Sequence, residues 1–262
     1  MTLWTLFGLA SGKATTSWPG DNGSDGQDGV LGMPRYNPDT CDDGCEECAK
    51  ICPTQAITQS DEKISIDYGR CVVCQLCTEV CPAGAMEPSG DWAFGTRARE
   101  DLVWAKDAAR PSVIHRNGGD AFRRSLHIRH VDAGSCNGCE SELQALNNPF
   151  YNLHRFGIFF TASPRFADLL LVTGPVTRSM YEPLQAAYAA MPEPHWVMAM
   201  GTCAVSGGIA GGNYACGTGL EGVLPVDLYL PGCPPNPAAI IEALLMFLNR
   251  VPQRVRGGRI GG

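Results

Sequence analysis

Eight of the 13 cysteines lie between Cys41 and Cys81, and their spacing leaves that stretch little choice of structure. Its second half reads Cys71-x-x-Cys74-x-x-Cys77-x-x-x-Cys81-Pro82. Its first half reads Cys41-x-x-x-Cys45-x-x-Cys48-x-x-x-Cys52-Pro53, with one extra residue ahead of Cys45 that Gly44 can absorb. The repeat runs on past the cysteines, since Cys52-Pro53-Thr54-Gln55-Ala56-Ile57 recurs as Cys81-Pro82-Ala83-Gly84-Ala85-Met86. Between the halves, Ile64-Ser65-Ile66-Asp67 alternates like a short strand. A module of about 50 residues buries too little apolar surface to be stable on that account alone. Bound metal would staple it, because the energy of binding to a folded site is folding energy. Disulfides fit less well: an odd number of cysteines cannot all pair. Met1–Ala10 lacks the basic leader of a secretory signal, and Arg123-Arg124 is internal, so it is not an N-terminal twin-arginine signal. These features point to a reducing compartment, where cysteines kept in number bind metal or do redox chemistry.

The second half has the spacing of the bacterial ferredoxin run, in which three close cysteines wrap one 4Fe–4S cluster and the fourth reaches another. The implied assignment is crossed. One cluster takes Cys41, Cys45, Cys48 and Cys81, and the other takes Cys71, Cys74, Cys77 and Cys52. A zinc-ribbon pairing of Cys45/Cys48 with Cys74/Cys77 is the competing reading. It leaves four cysteines and both Cys-Pro steps without a role. Residues 38–88 resemble the two-cluster bacterial-type ferredoxins.

Composition narrows the rest. A net charge of −7 does not attract a phosphate backbone, so no nucleic-acid partner is expected. At 44% hydrophobic residues the chain is not disordered. No apolar run is long enough to span a bilayer. We divide the chain into an N-terminal extension (1–32), a two-cluster ferredoxin domain (33–90), a charged and solvated linker (91–125), a second domain (126–250) and a C-terminal tail (251–262). The second domain reads as α/β. Leu126–Val131, Gly157–Thr161, Asp168–Thr173, His195–Met200 and Val226–Leu230 are candidate strands. Leu169-Leu170-Leu171-Val172 has the continuous apolar character of a strand covered on both faces. Glu140–Leu146 suits a short helix, and Ser179 with Glu182 has capping-box spacing for another. Asn236 can cap a last helix that has Pro237 at its first position and is apolar nearly all round. Only about seven residues separate the second and third strands, too few for an ordinary parallel crossover.

Four further cysteines follow candidate strands in this domain: Cys136 and Cys139, then Cys203, then Cys233. In open α/β sheets the loops after the strands' carboxyl ends converge on one crevice, so these thiols suit a third 4Fe–4S cluster. Three stretches carry a resemblance: Cys136-Asn137-Gly138-Cys139-Glu140, Ser163-Pro164-Arg165-Phe166-Ala167-Asp168, and Pro231-Gly232-Cys233-Pro234-Pro235-Asn236-Pro237. Over 126–248 the chain resembles the small subunit of membrane-bound NiFe hydrogenases of the formate hydrogenlyase type, which is related to the complex I subunit that carries cluster N2. The complex I subunit has adjacent cysteines at the first site, whereas Cys136-x-x-Cys139 is the hydrogenase form. Gly12-Lys13-Ala14-Thr15-Thr16 and Trp18-Pro19 resemble the separate ferredoxin-like subunit of the same complexes. The chain thus looks like a fusion of two neighbouring subunits.

The resemblance implies a flavodoxin-like, mostly parallel α/β domain preceded by a small α+β ferredoxin domain. It implies three 4Fe–4S clusters and electron transfer to or from a NiFe centre on a separate large subunit. Further implied partners are membrane-arm subunits and a redox protein such as ferredoxin or a formate or CO dehydrogenase component. The implied location is cytoplasmic, peripheral on the inner face of the cell membrane. A complex I-like quinone oxidoreductase subunit and a stand-alone ferredoxin-type carrier are the alternatives. Several features have blander explanations. Cys216 suits a small packed thiol better than a fifth ligand. The Gly-rich loop 207–222 lacks the Gly-Lys-Ser/Thr ending of a phosphate cradle. Glu140 and Glu142 are explained by a helix start as well as by a proton relay. Leu3, Trp4, Leu6, Phe7 and Leu9 suit a buried helix as well as a membrane partner.

Overall fold

A computed structural model describes residues 30–60, 63–105 and 124–251, together with 6, 10 and 253. The 12–16 and 18–19 stretches, most of the apolar residues near the start, the middle of the linker (106–123) and most of the tail lie outside the described residues.

The ferredoxin module is built from its repeat. Strand β1 (Arg35–Tyr36) and helix α1 (Glu47–Ile51) open it, and β2 (Ile57–Ser60) and β3 (Lys63–Asp67) form an antiparallel hairpin. Helix α2 (Leu76–Val80) and β4 (Met86–Glu87) close it, with β4 antiparallel to β1. Each helix lasts five residues and ends on a cysteine with nearly the same extended backbone, Cys52 at φ −69°, ψ 112° and Cys81 at φ −68°, ψ 109°. The cause is local: the proline after each cysteine forbids helical geometry to the residue before it. The extra residue of the first half is taken up before Gly44, which sits at φ +76°, where Val73 sits at +58° in the second half.

The second module is a five-stranded sheet in the order β10-β9-β8-β6-β7, parallel at every pairing. Its strands are β6 (Leu126–Asp132), β7 (Ile158–Phe160), β8 (Leu169–Thr173), β9 (Trp196–Met200) and β10 (Leu228–Leu230). Counted within the module the order is 2-1-3-4-5, that of the flavodoxin-like doubly wound fold. All five residues of β8 are buried, as its unbroken apolar run requires of a strand covered on both faces. The short link from β7 to β8 has a simple account. Phe160 and Leu169 both pair with Ile128, from opposite sides of β6. The chain therefore crosses one strand at constant height and needs no return helix.

Alternate residues divide the sheet's two faces. Leu126, Ile128, Leu169, Leu171, Met198, Met200, Leu228 and Leu230 pack against helices α3 (Gly138–Ala145) and α6 (Pro237–Phe247). Each such side chain contributes roughly 1.5–3 kcal/mol of burial free energy. Every residue of α6 is buried, and Asn236 Oδ1 accepts from the Ala239 amide at 2.7 Å as its N-cap. The other face, with Val131, Leu170, Val172, Val197 and Ala199, meets helices α4 (Arg178–Ala189) and α5 (Thr202–Ser206). It runs without a break into the ferredoxin core of Ile57, Ile66, Tyr68 and Phe94.

Two expectations are corrected. Helix α4 starts at Arg178 after Thr177, so Ser179 and Glu182 lie inside it and no side chain caps it. The described part of the linker is a strap rather than a solvated connector. Thr96 forms an antiparallel bridge with Tyr229 at the edge of β10. Arg97 Nη2 donates to the Met246 and Phe247 carbonyls and to Asn249 Oδ1 at 3.0, 2.8 and 2.7 Å. Arg99 makes a bidentate pair with Asp67 at 2.8 and 2.6 Å, and Val103–Ala105 (β5) adds a third strand beside β3. Of the charges that suggested solvent, Arg97 is satisfied by helix-end carbonyls and Arg99 by a carboxylate, while Glu100 is exposed. Two apolar side chains among them are buried: Phe94 packs on Tyr68 at 4.8 Å between ring centroids, and Leu102 is fully enclosed.

Candidate metal centres

The fold gathers the predicted thiols into three sets. Cys48, on the buried side of α1, is surrounded by Cys41, Cys81 and Cys45. Burial first, and then the charges of those neighbours, push its thiol up to about 11. The Tyr36 phenol is also held well above its ordinary value, chiefly by burial and then by a hydrogen bond with Cys41. The second set, Cys52, Cys71, Cys74 and Cys77, lines one hollow whose other walls include Pro34, Ile57 and Ile66. Burial pushes the Cys71 and Cys77 thiols up to about 12, and neighbouring thiols add to it, Cys233 of another set on Cys71 and Cys48 of another on Cys77.

The repeat also places hydrogen-bond donors on sulfur. The amides of Ala56 and Ala85, each four residues after a Cys-Pro cysteine, donate to Cys52 Sγ and Cys81 Sγ at 3.2 Å. Val73 N donates to Cys71 Sγ and Met86 N to Cys81 Sγ, both at 3.4 Å.

The third set stands at the carboxyl end of the sheet, where β6, β9 and β10 deliver Cys136 and Cys139, Cys203, and Cys233. Cys139 is pushed up strongly by burial, then by Glu140, Cys203, Cys233 and Cys136, and Cys203 is pushed up to about 11. Cys136 and Cys233 are exposed. Glycines make room for these thiols: a Cβ on Gly201 would lie 2.6 Å from Cys139 Sγ, and one on Gly208 would lie 2.9 Å from Cys203 Sγ.

These donor sets fit iron–sulfur groups. Cys48, Cys71, Cys77, Cys139, Cys203 and Cys233 resist ionising, by burial and by the charge of neighbouring thiols, and the positive charge of iron would remove that resistance. Amide N–H groups already point at the sulfurs. Among the described residues no three His, Cys, Asp or Glu side chains close around a single ion position. Cys77 also feels the charge of Cys48, so the first two sets adjoin.

Cys216 is partly exposed and close enough to Cys203 for its charge to be felt there. Its amide is tied to Asn213 Oδ1 at 2.9 Å. Glu140 sits in the first turn of α3 and accepts from Ser135 Oγ at 2.5 Å and from Thr173 Oγ1. His130 joins this group through Thr173 Oγ1 at 3.0 Å, and burial holds its ring below the usual histidine range. Ser135, Thr173, His130 and Thr202 were not singled out in sequence. Their only signal is position, beside cysteines or strand ends.

Residues 136–247 match the family described as NADH ubiquinone oxidoreductase, 20 Kd subunit. Residues 29–85 and 63–142 match two families described as 4Fe-4S dicluster domains. The chain is 43% identical over 134 residues to formate hydrogenlyase subunit 7 of Escherichia coli, a match over 51% of this chain and 52% of that one. It is 40% identical to probable membrane-bound hydrogenase subunit mbhJ of Pyrococcus furiosus, over 51% of this chain and 80% of the relative. It is 47% identical to Uncharacterized protein MJ0516 of Methanocaldococcus jannaschii, over 47% of this chain and 82% of the relative. The chain thus spans about half the length of the Escherichia coli subunit.

Proposed function

The chain belongs to the family of the 20 kDa subunit of NADH ubiquinone oxidoreductase, and on that premise we propose that it is the iron–sulfur electron-transfer subunit of a membrane-associated NiFe hydrogenase. In this role it passes electrons between the NiFe centre of a separate large subunit and a redox partner. What carries the reading is Cys136-x-x-Cys139 at the end of β6, the hydrogenase form of the first site, in a chain 40% identical to a hydrogenase subunit. Each 4Fe–4S group, when bound, supplies a one-electron store whose potential responds to hydrogen bonds on sulfur and to solvent.

The chain's residues do the rest. Cys41, Cys45, Cys48 and Cys81 would hold one group, Cys52, Cys71, Cys74 and Cys77 a second, and Cys136, Cys139, Cys203 and Cys233 a third. Each of the first two sets has one buried thiol, Cys48 and Cys77, and Cys74 of the second set is exposed. Exposed Cys136 and Cys233 leave the third open towards a partner, the side on which the large subunit would dock. A NiFe centre needs Cys-x-x-Cys pairs of its own. The pairs here are already committed, so the catalytic metal belongs to the other chain. No helix among the described residues is long and apolar enough to cross a membrane, so attachment to the inner face of the membrane would come through partner subunits.

Anaerobic purification of the tagged chain with its native partners tests this. We expect a nickel-containing large chain to accompany it and hydrogen to bleach its visible absorption. A partner without nickel, with bleaching by quinol instead, would establish the quinone oxidoreductase reading. Recovery as a partnerless monomer would establish a stand-alone carrier.

A further inference from the structure

Thr202 opens α5 immediately before Cys203 and is 1% exposed. Its hydroxyl makes two bonds, one to each module. It donates to the carbonyl of Cys71 at 2.8 Å and accepts from the amide of Gly232 at 3.1 Å. Its own amide donates to the Gly232 carbonyl at 2.9 Å. Gly232 directly precedes Cys233, so one buried hydroxyl touches three cysteine-bearing backbones: it is bonded to Cys71, next to Cys203, and bonded to the residue before Cys233. Both hydrogen-bonding functions of the hydroxyl are used, and a buried carbonyl and amide would each lose a partner without it. The juncture is also where the thiols of the two modules approach each other, since Cys71 feels the charge of Cys233.

We propose that Thr202 is a positioning residue that holds the Cys52/Cys71/Cys74/Cys77 set against the Cys136/Cys139/Cys203/Cys233 set, making this the point at which the two modules exchange electrons. The proposal rests on the function given above. With a four-iron group held by each set, one electron would pass from one group to the other. The donor is oxidised by one electron and the acceptor reduced by one, and no bond or proton moves. Thr202 acts through the Cys71 carbonyl and the Gly232 amide, not by ligation.

The test compares wild type, Thr202→Val and Thr202→Ser in the full chain, purified anaerobically and reduced with dithionite. Electron paramagnetic resonance reads the magnetic interaction between neighbouring reduced groups, and iron is assayed on the same samples. We expect Thr202→Val to lose the interaction between modules at unchanged iron content and Thr202→Ser to retain it. A Thr202→Val spectrum identical to wild type at equal iron content would overturn the proposal, as would loss of the interaction in Thr202→Ser. Hydrogen exchange on the same chains gives a readout independent of the clusters. In Thr202→Val, peptides containing Cys71 and Gly232 should exchange faster together, and a change confined to one of them would overturn it. A wild-type chain with no iron–sulfur signal would defeat the functional reading itself, a result distinct from any failure of Thr202.

Discussion

At the scale of residues, thiols crowded together have two consequences that can be measured. The first is site occupancy. Replacing Cys77 by Ser removes one ligand of the second set, and iron per chain should fall from ~12 to ~8. Cys216→Ser should leave it unchanged, and an equal loss in both variants would contradict the division into sets. The second is a dependence on pH. Burial and neighbouring charge push Cys48 and Cys203 up to about 11 and Cys71 and Cys77 up to about 12. A raised thiol favours the protonated, iron-free fold below its ordinary titration range near 9, and that contribution is lost as pH rises towards 11–12. Iron binding must expel these protons. Reconstitution should therefore improve between pH 7 and pH 9 and release protons to the medium, which a pH-stat measures. Uptake independent of pH would contradict the shifts. The cysteines were legible because three- and four-residue spacing is local information. Thr202 was not, since its partner Cys71 lies 131 positions away.

At the scale of elements, the strap over 94–99 does the work that composition assigned to solvent. Arg97 satisfies the last carbonyls of α6, where a cation also meets the negative end of the helix dipole. Arg97→Ala should cost about 1–3 kcal/mol, read as a shift in the urea midpoint. A stability equal to wild type would mean that α6 needs no such cap. Gly95→Val should cost more, because its Cβ would lie 2.7 Å from Ala243 Cβ on α6. The parallel strands could be read from their apolar runs, and the cap of α6 from Asn236-Pro237. The passage from β7 to β8 could not, because it depends on register: two strands meet the same residue, Ile128, from opposite sides. The start of α4 was misplaced for a smaller reason. Ser179 and Glu182 have the right spacing for a capping box, yet Thr177 is the residue with the extended backbone of an N-cap.

At the scale of the whole molecule, the two modules are not beads on a linker. One continuous core joins Ile66 and Tyr68 to Val172 and Ala199, and the strap closes over the sheet edge at Tyr229. The loaded chain should therefore unfold in one cooperative transition in which the visible absorption of both modules is lost together. Two separated transitions would contradict the shared core. Sequence showed the modules as separate because each carries its own repeat or pattern, while the surface joining them is assembled from residues far apart in the chain. Charge follows the same logic. A formal −7 becomes roughly −13 once three oxidised clusters are held, most of the added charge lying at the thiol sets. The central claim is that one chain holds three four-iron sites in series, and anaerobic assay of iron and acid-labile sulfide per chain tests it most directly. The account predicts ~12 of each. About 8 would remove the set at the end of the sheet, and zinc in place of iron would contradict the ferredoxin module.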